Sequence, residues 1–407
     1  MTKMDGKKGR DPRRYYGIIE DKIEAEGSGG LRSSLLIDCV DADRFETSAR
    51  AIDDPSALAL VRAMTTDHVW SDRLNAGNVM KGDWVEFQLD DEGEAPLAWE
   101  MIAAEDYRRG PKRSLRTIRR VGRAGSTYRP DRDDFLVKSL HEASNSERGR
   151  HQRIQLTDIS GRIDGDPREQ INIVVLDVGQ AGAVLIRRGQ RPIALFDVGA
   201  PLWFNKGSVA LGMTPPALGD GFIFLSHWDF DHFDMGRRHS PYHAHDWFAP
   251  DQPVSPNTAF FQKKLGARLT FVDGSLAIGG FCFRRGTASD PLDRNNSGYQ
   301  LRYDHQGDAV LLTGDADYDF IDPAMLAGTT HLLLPHHGGK GSAPPQAAGA
   351  RHAVVSYGLP NHYRHPNMAQ MTAHRAARWR VLPTAPCHID RGNRMLYPTP
   401  PYDGFCP

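Results

Sequence analysis

Short apolar runs separated by clusters of Gly, Asp and Glu recur along most of this chain, and that texture predicts strands with turns between them. In the first quarter such runs fall at residues 15–19, 34–40, 83–89 and 98–102, with turn clusters at 26–30 and 90–94, and residues 55–64 read as a helix. Residues 131–146 add a second helix. From residue 171 the runs become β-branched and closely spaced: 171–178, 183–187, 192–198, 221–226, 267–272, 281–284, 298–303, 309–313, 331–334 and 352–356. Helices are expected at 256–265, 323–327 and 368–377. Many strands with fewer helices between them fit an α/β domain of two stacked sheets flanked by helices.

With 407 residues the chain is too long for one ordinary domain. Four segments are expected: a charged lead-in at 1–13, a small β-rich domain at 14–106, a basic linker with a helix at 107–168, and the α/β domain at 169–407. A hydrophobic share of 40% and a charged share of 25% belong to a soluble globular protein. The formal net charge of −1 excludes a polycation, so nucleic-acid affinity would need a local patch. Cys39, Cys282, Cys387 and Cys406 show no C-x-x-C spacing, which argues against a disulfide framework and excludes a zinc ribbon. The polar, basic N-terminus does not read as a signal peptide, and no apolar stretch approaches a membrane span. A cytoplasmic protein without membrane contact is expected.

A local patch does exist. Between residues 108 and 123 the basic side chains are Arg108, Arg109, Lys112, Arg113, Arg116, Arg119, Arg120 and Arg123, with no acid among them. Such a run reads equally as a solvated face and as a binder of phosphate backbone, for which the arginine fork is well shaped. The phrase Lys81-Gly82-Asp83-Trp84-Val85-Glu86-Phe87 resembles the later strands of cold-shock and related OB-type barrels. In such a barrel Tyr15, Tyr16, Trp84 and Phe87 would be candidate base-stacking residues or ordinary core.

The densest chemistry follows the apolar run at 222–225, in His227-Trp228-Asp229-Phe230-Asp231-His232. Two carboxylates and two imidazoles within six residues are costly to crowd together without a cation, and they are ligands suited to zinc, manganese or iron. Other apolar runs end in the same kind of residue: Phe196-Asp197, Thr313-Gly314-Asp315, and Pro335-His336-His337-Gly338, while a late imidazole cluster sits at Asn361-His362-Tyr363-Arg364-His365-Pro366.

Together with Leu176-Asp177-Val178-Gly179-Gln180 and Asn296-Ser297, and in this order, these motifs resemble the hydrolase domain of the ComEC-type DNA-uptake competence proteins. That group belongs to the metallo-β-lactamase superfamily and is also similar to choline-phosphate esterases. The resemblance covers roughly residues 171–366. It implies an αββα sandwich with two divalent metal ions, zinc before manganese, at the strand ends. Carried over, His227 and Asp229 would hold one ion and Asp231, His232 and His337 the other, with Asp315 bridging. Asp197 would orient ligands, and Asn296 and Ser297 would lie at the edge of the site. Asp231 would handle the water's proton, and His336 and His365 would face the substrate. The superfamily's separate middle histidine is not evident: His239, His243 and His245 are near, but at no matching spacing.

Three functions are compatible with these residues. A metal-dependent phosphodiesterase, in particular a nuclease bound to DNA or RNA through the basic run, takes first place. A hydrolase of a small phosphoester, nucleotide signal, lactam or lactone is the alternative, because fold does not fix substrate. A non-enzymatic adaptor with a vestigial metal site is the third, and a protein partner stays open.

Overall fold

The computed structural model describes residues 12–25, 32–66, 68–74, 79–91, 96–123, 132–146, 152–163, 169–385 and 391–399. Most of the lead-in, the turn cluster at 26–30, part of that at 90–94, Cys387 and Cys406 lie outside them. The chain divides into two compact units, one of residues 1–149 with 254–263, the other of residues 150–253 with 264–407.

The first unit is a closed barrel. Its strands are β1 (Arg13–Ala25), β2 (Arg32–Asp41), β3 (Leu58–Thr66), β4 (Asp83–Asp90), β5 (Leu97–Ile102) and β6 (Lys112–Arg123), ordered β1-β2-β3-β5-β6-β4. Alternate residues point inward, as the two-residue period of a strand requires: Leu35, Ile37 and Cys39 from β2, Ala59, Val61 and Ala63 from β3, Val85, Phe87 and Leu89 from β4. Every neighbouring pair is antiparallel. Six strands close this barrel, where an OB barrel has five.

Two expectations change here. Residues 55–64 supply strand β3 rather than a helix. Ala and Leu favour a helix locally, but Leu58 to Ala63 are all buried between β2 and β5, and pairing on both edges outweighs propensity. The basic linker is likewise not a linker in its first part, because Lys112–Arg123 is the strand that pairs with both β4 and β5. Two register shifts against β4 explain the misreading: its buried residues Leu115, Ile118 and Val121 recur every third position. Tyr15, Tyr16, Trp84 and Phe87 are all buried, so they are core and offer no stacking platform.

Helix α1 (Ala42–Thr47) follows β2, and α2 (Arg132–Ser144) packs on β6. Beyond α3 (Ser160–Ile163) and α4 (Phe230–Arg238), helix α5 (Pro256–Leu265) returns to this unit over residues 254–263. Buried Asp38 accepts the Asn257 backbone N–H at 3.0 Å and the Ser255 hydroxyl, tying the start of α5 to β2.

The second unit contains two sheets. The first comprises β7 (Gln152–Gln155), β8 (Ile171–Val175), β9 (Ala183–Arg188), β10 (Arg191–Val198), β11 (Phe222–Phe224), β12 (Trp247–Pro250) and β13 (Leu269–Asp273), joined at one edge by the late strand β21 (Arg394–Tyr397). The other runs in chain order through β14 (Leu276–Ile278), β15 (Phe281–Arg285), β16 (Tyr299–His305), β17 (Asp308–Leu312), β18 (His331–Leu333), β19 (His352–Val355) and β20 (Arg380–Pro383). Phe196, Phe224 and Phe248 from one sheet share a core with Phe283, Leu301 and Leu312 from the other, so the sheets stack face to face. On its other face the second sheet buries Leu311, Leu332 and Val355 against α6 (Pro323–Leu326) and α7 (Met368–Ala376), through Met325 and Met371.

Strands β10 to β13 run parallel, and so do β17 to β20. Their C-terminal ends deliver Asp197, His227, Asp315, His337 and Ser356 in turn.

Candidate metal centre

Each imidazole of the centre is anchored at one nitrogen and open at the other. The Nδ1 of His232 lies 2.8 Å from Asp197, which can only accept, so Nδ1 carries the hydrogen. The Nδ1 of His337 donates to the Ser356 carbonyl at 2.9 Å. The Ser226 hydroxyl gives its one hydrogen to Asp197 at 2.8 Å and therefore accepts from Nδ1 of His227 at 2.9 Å. All three Nε2 atoms are buried without a hydrogen-bond partner, on side chains exposed by 1%, 2% and 3% for His227, His232 and His337. An imidazole fixed in this tautomer, with its lone pair inward, is what cation ligation demands.

Those nitrogens face carboxylates. Nε2 of His232 is 3.1 Å from Asp315, and Nε2 of His337 is 3.4 Å from Asp231 and 3.9 Å from Asp315. Two sets, His227 with His232 and Asp315, and Asp231 with His232 and His337, have donor atoms within 4.8 Å of one another and could hold an ion. A void of about 20 Å³ lies among Asp197, His232, Asp315 and His337, room for one water or ion.

The electrostatics call for positive charge. Burial opposes a charge on His232, but Asp315 and Asp197 outweigh it and push the imidazole well above its ordinary pKa. His337 is raised too, burial being outweighed by Asp315 and Asp231. Burial would raise Asp315, yet the neighbouring His232 and His337 hold it well below the usual carboxylate range. His227 goes the other way: burial, helped by His232, pushes it down to about 4.

Backbone geometry sustains the cluster. Asp197, His336 and His337 all have positive φ, of 62°, 48° and 53°, which is strained for residues with a side chain and which concentrates at functional sites. Gly199 lets the chain pass: a Cβ there would lie 1.7 Å from the Asp231 carbonyl oxygen. Asp231 and His232 occupy the first turn of α4, where the carboxylate also complements the helix dipole.

The other expected residues are placed differently. Asp229 belongs to neither ligand set; its Oδ1 pairs with Arg294 at 2.8 Å, and its Oδ2 is 3.7 Å from Nε2 of His227. His336 is exposed at the rim, its ring 5.2 Å from that of His365. His365 stacks at 6.0 Å on His337, contacts Gln180 at 2.8 Å, and is pushed down to about 3 by burial and by His336. Asn296 accepts the Asp317 backbone N–H at 2.9 Å, and Ser297 accepts from Gln252 at 2.8 Å, so both brace loops. Gln252 in turn accepts the N–H of Trp228 at 3.3 Å, inside the ligand loop. His243 and His245 point at backbone carbonyls at 3.1 Å and supply no ligand.

The sequence reading passed over Arg294, Gln252, Ser226 and Ser356. Each acts through a partner distant in sequence or through its backbone, so no local motif marks it.

Four residues of the basic run, Arg113, Arg116, Arg119 and Arg120, are matched by acids of the same unit. Arg119 pairs with Glu86 at 2.7 Å and Asp133 at 2.5 Å, Arg120 with Asp83 at 3.0 Å, Arg116 with Asp90 at 3.9 Å, and Arg113 with Asp91 and with Glu100 at 3.4 Å. Arg108, Arg109 and Lys112 are exposed at the start of the run, and Arg123 is half-buried at its end.

The chain is similar to the Competence protein ComA of Neisseria gonorrhoeae, with 28% identity over 239 residues. The match covers 56% of this chain and 33% of that protein, so the chain spans about a third of its relative. No family model matches. Among the described residues no helix is long and apolar enough to cross a membrane.

Proposed function

We propose that the second unit is a metal-dependent hydrolase of the metallo-β-lactamase type, acting on phosphodiesters and most suitably on DNA or RNA. The observation that carries this reading is the set of three buried imidazoles, each tethered at Nδ1, with Nε2 set among the carboxylates of Asp229, Asp231 and Asp315. The stacked sheets with ligands at the ends of parallel strands support it, as does the similarity to a competence protein.

Nitrogen and carboxylate donors in this mixture suit zinc first and manganese second, with Asp231, His232, Asp315 and His337 as holders. Divalent cations bound there would make water acidic enough to ionise near neutrality and offset charge growing on a phosphoryl oxygen. Asp197 and Ser356 would keep the rings aimed. His336, exposed at the rim, would protonate a departing alkoxide, and burial keeps His365 neutral beside it. A cavity of about 1100 Å³ adjoins the loop that carries Gln180, the partner of His365; Arg187 and Lys206 line it, together with Arg391 paired to Asp177 at 2.7 Å, and its excess of cations favours an anionic substrate.

The test is cleavage of labelled single- and double-stranded DNA and RNA by purified protein with zinc or manganese. An Asp231→Ala, His232→Ala double variant is the control. Cleavage that needs the metal and vanishes in the variant is expected. Hydrolysis of small phosphodiesters with no polynucleotide cut would move the substrate to small molecules. Inactivity on both classes would leave the adaptor reading.

A further inference from the structure

We propose that Arg294 takes the place of one of the two cations, so that the centre binds one divalent ion tightly and resists a second. This rests on the metal-dependent reading above and refines it.

Both ligand sets use His232, and His232 has one nitrogen to give, because its Nδ1 is held by Asp197. One ion therefore takes that nitrogen. Asp231, His232 and His337 make one nitrogen-and-oxygen set for it, with Asp315 at 3.1 and 3.9 Å from the two imidazole nitrogens. What remains for another ion is His227, a share of Asp315, and Asp229.

Asp229 is already engaged. Its Oδ1 binds the Arg294 guanidinium at 2.8 Å, and the arginine side chain is only 6% exposed. Its backbone is fixed as well, since the Arg294 carbonyl accepts from Gln252 at 2.8 Å. A guanidinium cannot be deprotonated in a protein, so this positive charge is permanent. In a poorly solvated site it repels any divalent ion within a few ångströms. Among the described residues no other imidazole near the ligand loop compensates: His243 and His245 face backbone carbonyls, and His239 meets Tyr242 edge to face at 4.7 Å. The second positive charge of the centre is thus carried by the protein itself.

The experiment counts ions. Protein stripped by chelation is titrated with Mn²⁺ and separately with Zn²⁺ by calorimetry, and the metal retained after desalting is measured by elemental analysis. Wild type should retain one ion per chain. Arg294→Met, which removes charge at similar length, should tighten a second ion about tenfold or more. Arg294→Lys should keep the single-ion behaviour. Two ions of equal affinity in wild type, or no change in the second on Arg294→Met, would overturn the inference while leaving the hydrolase reading intact. If Arg294→Met does not fold by circular dichroism, the wild-type count and the Arg294→Lys count decide. A wild-type chain that takes up no ion overturns both.

Discussion

Asp197 accepts the Nδ1–H of His232 at 2.8 Å from a backbone held at a φ of 62°. The same carboxylate accepts the backbone N–H of Ser226 at 2.7 Å and the Ser226 hydroxyl at 2.8 Å. One side chain at the end of β10 therefore fixes two imidazoles, His232 directly and His227 through Ser226.

Asp197→Asn keeps the shape but offers a single accepting oxygen. Divalent-ion affinity should fall about 10- to 100-fold, the usual cost of losing the group that orients a ligand. Calorimetric titration checks this, with an unchanged far-ultraviolet circular dichroism spectrum as the control for folding.

Gly199→Ala should abolish ion binding more completely than the loss of a single ligand. The added Cβ would sit 1.7 Å from the Asp231 carbonyl oxygen, which also accepts the Gly182 N–H at 2.9 Å. The first turn of α4 must move, taking Asp231 and His232 with it. Normal titration by this variant would show that the turn can shift without cost.

Arg113 and Arg119 belong to the same basic strand, yet their removal should differ. Arg113 is 10% exposed and faces Glu100, a carboxylate only 1% exposed, whereas Arg119 is 52% exposed. Arg113→Ala should cost about 1–3 kcal/mol, because a buried charge loses a partner. Arg119→Ala should cost under about 1 kcal/mol. Urea unfolding of both variants measures the difference.

Acid should weaken the second unit through a histidine remote from the metal centre. Burial pushes His331 down to about 4, assisted by His352 and opposed by Asp308. Its folded pKa thus lies below its unfolded value of about 6.5, so the unfolded chain binds the proton first. Stability present above 6.5 is lost as pH falls towards 4. Melting temperatures between pH 7 and 4 should drop, and His331→Asn should flatten that slope.

Most of the candidate ligands were legible because each closes an apolar run. Phe222 to Leu225 leads into His227, Ala309 to Leu312 into Asp315, and His331 to Leu334 into His337, so strand and ligand are marked by the same stretch of sequence. Arg294 was illegible for the opposite reason: its partner Asp229 lies across the fold, and an arginine before Asn295 and Asn296 carries no local signal. In the barrel, the bulges of β6 broke the two-residue period that would have revealed a strand. At β3 the composition of residues 55–64 pointed to a helix, and only the flanking strands decided otherwise.

The excursion of residues 254–263 into the first unit bears on how the molecule could be taken apart. The polypeptide threads from barrel to stacked sheets, back to the barrel, and out again. A protease nick near residue 150 would therefore leave a fragment that begins with the sheets but still carries Asn257, the partner of Asp38. Releasing either unit takes three breaks in the backbone, and a shortened gene that begins at the second unit would encode a helix α5 stripped of its anchor.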